Sequence, residues 1–375
     1  MNSNIAEMSP NLVGIRAFEL YFPRTYVNQN DLEMFDNVSS GKYTIGFGQE
    51  QMGFCGDHED VASICMTVLS KLLNNYDIDT KNVGFLVVGS ETLIDKSKSV
   101  KTQLMDMFGD NTDIEGVDVK NACFGGTQAL FHAIDWIYAN WATEERYAIV
   151  VMGDIAIYEA GPARCTGGAG AFAALIGPNA LISFDRGLRA TFMTNEWDFY
   201  KPVIGQTTEY PQVDGVASLK SYFRSLDAVY SKYYINMSTF DALFFHSPFS
   251  RLVQKAFGRI TYGDFIRKKQ NYFKSKAIDR LAIIAASEDM WELKCDPYLF
   301  FNRRVGNMYT SSLYAQLVAF FHKSTCIESV IGKRLLFFSY GSGAASAMFS
   351  ATVGDVDLSN SGIKSLVLYD RSEIC

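Results

Sequence analysis

The sequence has 375 residues, 48% of them hydrophobic and 20% charged, enough to bury a large core as one big domain or two smaller ones. A net charge of -7 and a pI near 5.3 exclude attachment to nucleic acid or anionic lipid through overall electrostatics, so any bound phosphate must meet a local basic cluster. Seven scattered cysteines without a C-x-x-C pair imply reduced thiols and no zinc site. The first ten residues carry neither the apolar core of a secretory signal nor the arginines of a transit peptide, and no apolar run reaches membrane length. A cytoplasmic protein with no membrane or nucleic-acid partner is expected.

In chain order, short apolar runs ending in Gly, Ser or Pro alternate with longer helical patterns, which predicts an α/β fold. Phe85-Leu-Val-Val reads as a strand ending in Gly89-Ser-Glu91. Asn121-Ala-Cys-Phe-Gly-Gly-Thr opens a helix, and Arg146-Tyr-Ala-Ile-Val-Val-Met-Gly is the next strand. The same three features return in the same order: Ala242-Leu-Phe-Phe ending in His246-Ser-Pro248, the helix start Asn307-Met-Tyr-Thr-Ser-Ser, and the strand Lys333-Arg-Leu-Leu-Phe-Phe-Ser-Tyr-Gly. Such a repeat indicates internal duplication. It predicts halves at 12–185 and 186–370, joined without a linker, whose strand ends and helix starts bring Glu91, Cys123, His246 and Asn307 to one crevice. Phe265 to Arg304 has no counterpart in the first half and reads as surface helices.

Cys123, at a helix start, lies where backbone amides and the macrodipole favour thiolate, and Gly125-Gly126 would let a carbonyl approach backbone N–H groups. The alternative is a small buried hydrophobe. Of four histidines, His132 lies inside the following helix and His58 and His322 sit in polar, unstructured-looking stretches. His246 ends an apolar strand, where its ring can point into a crevice or be a hydrogen-bonded core residue. Glu91 ends the matching strand as a base or a helix cap. The glycine runs Gly167-Gly-Ala-Gly170 and Gly341-Ser-Gly343 lack the full dinucleotide-loop spacing and read as close backbone packing or approach to substrate. Arg251 and Lys255 share one helical face, able to hold a phosphate or simply solvated.

The segments Gly41-Lys-Tyr-Thr-Ile-Gly, Gln51-Met-Gly-Phe-Cys, Glu91-Thr-Leu-Ile-Asp-Lys-Ser-Lys-Ser-Val-Lys, Asn111-Thr-Asp-Ile-Glu-Gly, Asp198-Phe-Tyr-Lys-Pro and Gly306-Asn-Met-Tyr-Thr-Ser-Ser closely resemble hydroxymethylglutaryl-CoA synthase of the eukaryotic type, in the thiolase-like superfamily. That resemblance runs from about Val13 to Phe349. It implies a five-layered αβαβα fold of two pseudo-twofold halves, a homodimer, no metal and no redox cofactor. The implied reaction condenses acetyl-CoA with acetoacetyl-CoA in the mevalonate route to isoprenoid and sterol precursors. By the family pattern Cys123 takes the acetyl group, Glu91 removes a methyl proton and His246 polarises the acetoacetyl group. Lys42, Thr166, Ser218, Asn307 and Ser342 match substrate contacts; Arg251 and Lys255 match basic positions, Lys255 near the CoA phosphates. Asp95, Asp154 and Asp198 match supporting acids.

The sequence departs from the pattern where Pro162 replaces a substrate-contacting asparagine, Phe124 a tyrosine, Asn195 a histidine and Arg251 a lysine. The middle region between Tyr230 and Asn307 is short, and the usual final strand of the second half is missing, which would expose a sheet edge. These departures motivate two alternatives: a noncatalytic or impaired paralogue retained for binding or regulation, and another thiolase-like condensing enzyme, such as one extending a chain from an acyl carrier protein.

Overall fold

The computed structural model describes residues 10–202, 210–233, 236–270, 280–324, 326–355 and 372–373. Its centre is a nine-stranded sheet in the spatial order Ala242–Phe245, Arg334–Gly341, Ala345–Val353, Ile182–Met193, Gly14–Tyr21, Gly168–Gly177, Tyr147–Ala156, Val83–Gly89, Asp118–Val119. The sheet is two sheets joined at a narrow waist. Gly14–Tyr21 meets Ile182–Met193 only through Gly14 with Ser183 and Ile15 with Ile182, with five strands on one side and four on the other.

The strands are nearly continuous apolar runs because both faces are covered. In Gly168–Gly177, Phe172, Ala174 and Ile176 face one core and Ala171, Ala173 and Leu175 another, the two-residue alternation of a strand. In Arg334–Gly341, Leu335 and Phe337 join the first of those cores, while Leu336, Phe338 and Tyr340 join a third. The shared core holds the helices Gly125–Glu144 and Ser312–Lys323. Val61–Asn75 covers the outer face of one sheet. Gly215–Tyr233, Ser250–Gln270 and Arg280–Lys294 cover the outer face of the other. The layers run helix, sheet, helix, sheet, helix.

The two sides repeat one plan. Tyr147–Ala156 pairs parallel with Val83–Gly89 and antiparallel with Gly168–Gly177. Arg334–Gly341 likewise pairs parallel with Ala242–Phe245 and antiparallel with Ala345–Val353. In register, Val88 lies on Val151 and Phe245 on Phe338, so the strand ends Gly89-Ser-Glu91 and His246-Ser-Pro248 correspond as the sequence suggested. The helix starts correspond one residue differently. The left-handed residues are Ala122 and Tyr309, and Phe124 N donates to Asn121 O as Ser311 N does to Met308 O. Asn121 is therefore matched by Met308, not by Asn307.

Two expectations are corrected. The stretch read as surface helices contributes core: Trp291, Cys295, Leu299 and Phe301 are buried and pack in the clusters on the two faces of the second sheet. His322 belongs to the helix Ser312–Lys323 and stacks on Phe300, ring centroids 5.8 Å apart. The edge strand Ala242–Phe245 has no further neighbour among the described residues, yet all four residues are buried. Gln316 takes the place of a strand there, accepting from Phe245 N at 3.1 Å and donating to Phe245 O at 2.6 Å.

Candidate active site

The nucleophile turn is shaped by Ala122, at φ 43°, a conformation costing roughly 1–2 kcal/mol outside glycine, which lifts Cys123 off the start of the helix Gly125–Glu144. The paired glycines serve packing. A Cβ on Gly125 would lie 2.7 Å from Val119 O and one on Gly126 2.8 Å from Thr310 O, and the N–H groups of Phe124 and Gly125 are engaged with the carbonyls of Asn121 and Ala122. Gly125 is thus pressed on the strand Asp118–Val119 and Gly126 on Thr310.

Cys123 Sγ donates to Glu91 Oε1 at 3.3 Å. Burial, and after it the charges of Glu91 and Asp154, push the Cys123 thiol well above its ordinary range. The helix start, good for about 1 kcal/mol, does not offset this. Cys123 rests as a thiol whose hydrogen bond points at the Glu91 carboxyl.

Glu91 is itself buried on a turn pinned by Asp154. Asp154 Oδ1 accepts from Glu91 N at 2.8 Å, Thr92 N at 3.0 Å, Ser90 Oγ at 3.0 Å and Thr92 Oγ1 at 2.9 Å. Its Oδ2 accepts from Thr310 N at 3.0 Å and from the Thr310 hydroxyl. Burial raises the Asp154 carboxyl and the Thr310 bonds oppose that rise.

A cavity of about 790 Å³ opens on Cys123. His246 lines it, buried, with its main-chain carbonyl held by Tyr222 OH at 2.8 Å. Burial lowers its ring to about 3, so a neutral imidazole offers one donor and one acceptor near neutral pH. Asn307 uses its side-chain oxygen to accept from Tyr309 N and Ser312 Oγ, both at 3.0 Å, leaving its NH₂ able to donate into the cavity. Thr166, Ser218 and Ser342 also line it, as does Pro162. Asp198 braces that wall, accepting from Gly343 N at 3.1 Å and Tyr340 OH at 3.2 Å.

The other sequence candidates stand apart from the cavity lining. Lys42 is exposed on the π-helix Lys42–Phe47, whose Phe47 reaches the cavity. Arg251 holds that element by donating to Ile45 O at 3.1 Å, and Lys255 is exposed one turn on; the three form a basic rim around one packed junction. Asp95 lies on an exposed turn and accepts from Ser97 N and Lys98 N at 2.7 Å, bonds that lower its carboxyl; it caps its own turn and touches neither Cys123 nor Glu91. Phe124 is buried in the core and Asn195 is exposed. Tyr158, Tyr309 and Tyr340, which sequence reasoning missed, line the cavity, each with its phenol raised by burial. Lys201 was missed as well; its Nζ donates to Glu91 O at 3.3 Å. The motif Asp198-Phe-Tyr-Lys was the available signal. Among the described residues no group of three or more His, Cys, Asp or Glu could hold a metal ion, and no helix is long and apolar enough to cross a membrane.

Two family models match the chain: hydroxymethylglutaryl-coenzyme A synthase N terminal over residues 9–181 and C terminal over residues 182–370. Hydroxymethylglutaryl-CoA synthase of Caenorhabditis elegans is 54% identical over 361 residues, 91% of this chain and 78% of that protein. The mitochondrial form of Homo sapiens is 42% identical over 96% of this chain and 77% of its own length. Among solved structures, MvaS in complex with 3-hydroxy-3-methylglutaryl coenzyme A superposes with a TM-score of 0.83 at 29% identity, covering 91% of this chain and 84% of that one.

Proposed function

The chain belongs to the hydroxymethylglutaryl-CoA synthase family, and from that premise we propose that it condenses acetyl-CoA, acetoacetyl-CoA and water into 3-hydroxy-3-methylglutaryl-CoA and CoA through an acetyl thioester on Cys123. The observation that carries this reading is the Cys123 thiol facing the Glu91 carboxylate at 3.3 Å in a cavity that His246 and Asn307 also line. A solved relative holds the reaction's product.

The thiol passes its proton to Glu91 as sulfur attacks the acetyl carbonyl, and the departing CoA sulfur takes that proton. Glu91, a carboxylate again, removes a proton from the acetyl methyl. The carbanion bonds to the ketone carbon of acetoacetyl-CoA while His246 and the Asn307 NH₂ donate hydrogen bonds to the oxygens that gain charge. The proton held by Glu91 ends on the new hydroxyl, and water cleaves the thioester to a carboxylate and the Cys123 thiol, with one proton released to solvent. Thr166, Ser218 and Ser342 seat the pantetheine arm and acyl groups, the Lys42, Arg251 and Lys255 rim meets the phosphates, and Asp154 and Asp198 hold the walls.

We further assign residues 12–185 and 186–370 to the two halves, a place in the mevalonate route, and a cytoplasmic homodimer. The strand Asp118–Val119, at the edge of the sheet among the described residues and next to exposed Val117, supports pairing with a second copy, which sedimentation tests. The free cysteines support the cytosol; cell fractionation tests it, since several relatives are mitochondrial. Mass spectrometry of protein mixed with both substrates decides the activity: product and acetyl-Cys123 are expected. Neither forming would favour the second reading, an impaired synthase, which Pro162 on the cavity wall motivates.

A further inference from the structure

Two carboxylates, Glu91 and Asp154, are both buried, with Glu91 N donating to Asp154 Oδ1 at 2.8 Å. Around Glu91 stand five titratable side chains: Cys123 donates to its carboxyl, Tyr158 and Tyr309 feel its charge, and Asp154 and Lys201 meet its main chain. Three are neutral acids and one is an anion. Two buried negative charges in a medium of low dielectric require a counter-charge or one of them takes up a proton.

Lys201 is placed to supply that charge. Its Nζ donates to the main-chain carbonyl of Glu91 at 3.3 Å and stands 5.2 Å over the Tyr309 ring. Its own segment is anchored: Phe199 and Tyr200 pair with Val213 and Gln212, Phe199 packs edge-on against Tyr309 at 5.9 Å, and Asp198 is held by Tyr340 and Gly343. Its positive charge also acts favourably on Asp154.

We propose that Lys201 is a positioning residue for the general base: its ammonium fixes the main chain of Glu91 and keeps the Glu91 carboxylate ionised between Cys123 and Asp154. The inference rests on the synthase reading and adds a residue to it. Lys201 touches no reacting atom; it sets where the base stands and how readily it holds a charge.

The test compares intact wild-type protein with Lys201→Met and Lys201→Arg, following product formation from pH 5 to 9 and acetylation of Cys123 in a single turnover. Condensation by Lys201→Met is expected to fall by roughly 10–100-fold, with the acid limb of its pH profile moved to higher pH, because a lost cation makes the carboxylate easier to protonate. Lys201→Arg is expected to restore both rate and limb. A Lys201→Met protein with wild-type rate, or a slow one whose acid limb stays in place, overturns the proposal. If Lys201→Met fails to fold by thermal melting, Lys201→Gln is judged by the same limb. Wild-type protein that makes no product overturns the synthase reading itself, whereas active wild type with an unchanged Lys201 variant overturns only the role of Lys201.

Discussion

Ala122 and Tyr309 take the same left-handed conformation, with φ of 43° and 42°, one residue ahead of Cys123 in the first half and Thr310 in the second. From there the halves diverge. Cys123 is mostly buried but reaches the cavity, while Thr310 is buried with its hydroxyl bonded to Asp154 and to Gly89 O at 3.0 Å. The divergence repeats at the strand ends, where Glu91 falls opposite Pro248 and His246 opposite Gly89 when the registers of Val88 and Phe245 are carried forward. It repeats at the next strand, where Asp154 falls opposite Gly341. A Cβ on Gly341 would come within 2.4 Å of Phe124 N, so the second half yields space to the nucleophile turn at the point where the first half places a charge. Duplication supplied the frame, and one-sided substitution supplied a thiol, a base and an imidazole that do not compete for one position.

The comparison breaks most completely at Cys123. Cys123→Ala is expected to reduce condensation by about 10⁴-fold or more, and Thr310→Ala to leave a measurable rate; CoA release reports both. Glu91→Gln should lower condensation by about 10²–10⁴-fold without altering the urea midpoint greatly, since its main chain stays on Asp154. A smaller effect concerns acid. His246 has a folded pKa of about 3 against an ordinary 6.5, so the unfolded chain takes up a proton that the folded one refuses. Its contribution to stability is complete above pH 6.5 and is lost at about 1.4 kcal/mol per pH unit as pH falls toward 3. Urea unfolding at pH 7 and 5.5 should show a shallower decline for His246→Leu than for wild type. An effect of similar size is expected for Thr310→Val, which removes one hydroxyl from Asp154 and should cost about 1–3 kcal/mol, read by the same titration.

The strand ends were legible because a buried strand writes itself as a short apolar run and its last residue changes character abruptly, as at Gly89-Ser-Glu91 and His246-Ser-Pro248. Cys123 was legible through the glycines after it, although their contribution is tight packing against Val119 and Thr310. The helix starts were misaligned by one residue because Asn121 and Asn307 look alike in sequence while doing different work: Asn121 donates to Ser342 O at 3.3 Å, and Asn307 accepts from its own turn. The tyrosines at 158, 309 and 340 gave no signal, since an aromatic side chain shows no chemistry in sequence until its position at a cavity wall is known. Trp291, Cys295 and Leu299 were misplaced because the helix Arg280–Lys294 passes directly into the short turn Asp296–Leu299, and the two share no single period to show which side is buried.

Asp154 gathers its donors from both sides of the waist: Ser90, Glu91 and Thr92 from one half and Thr310 from the other. Separating the halves would strand that charge without two of its six donors inside a nonpolar interior. The same carboxylate that holds the base in register thus acts as a latch against partial unfolding, so the chain should melt in one cooperative transition, and amide exchange at Glu91 and at Thr310 should slow to a common rate.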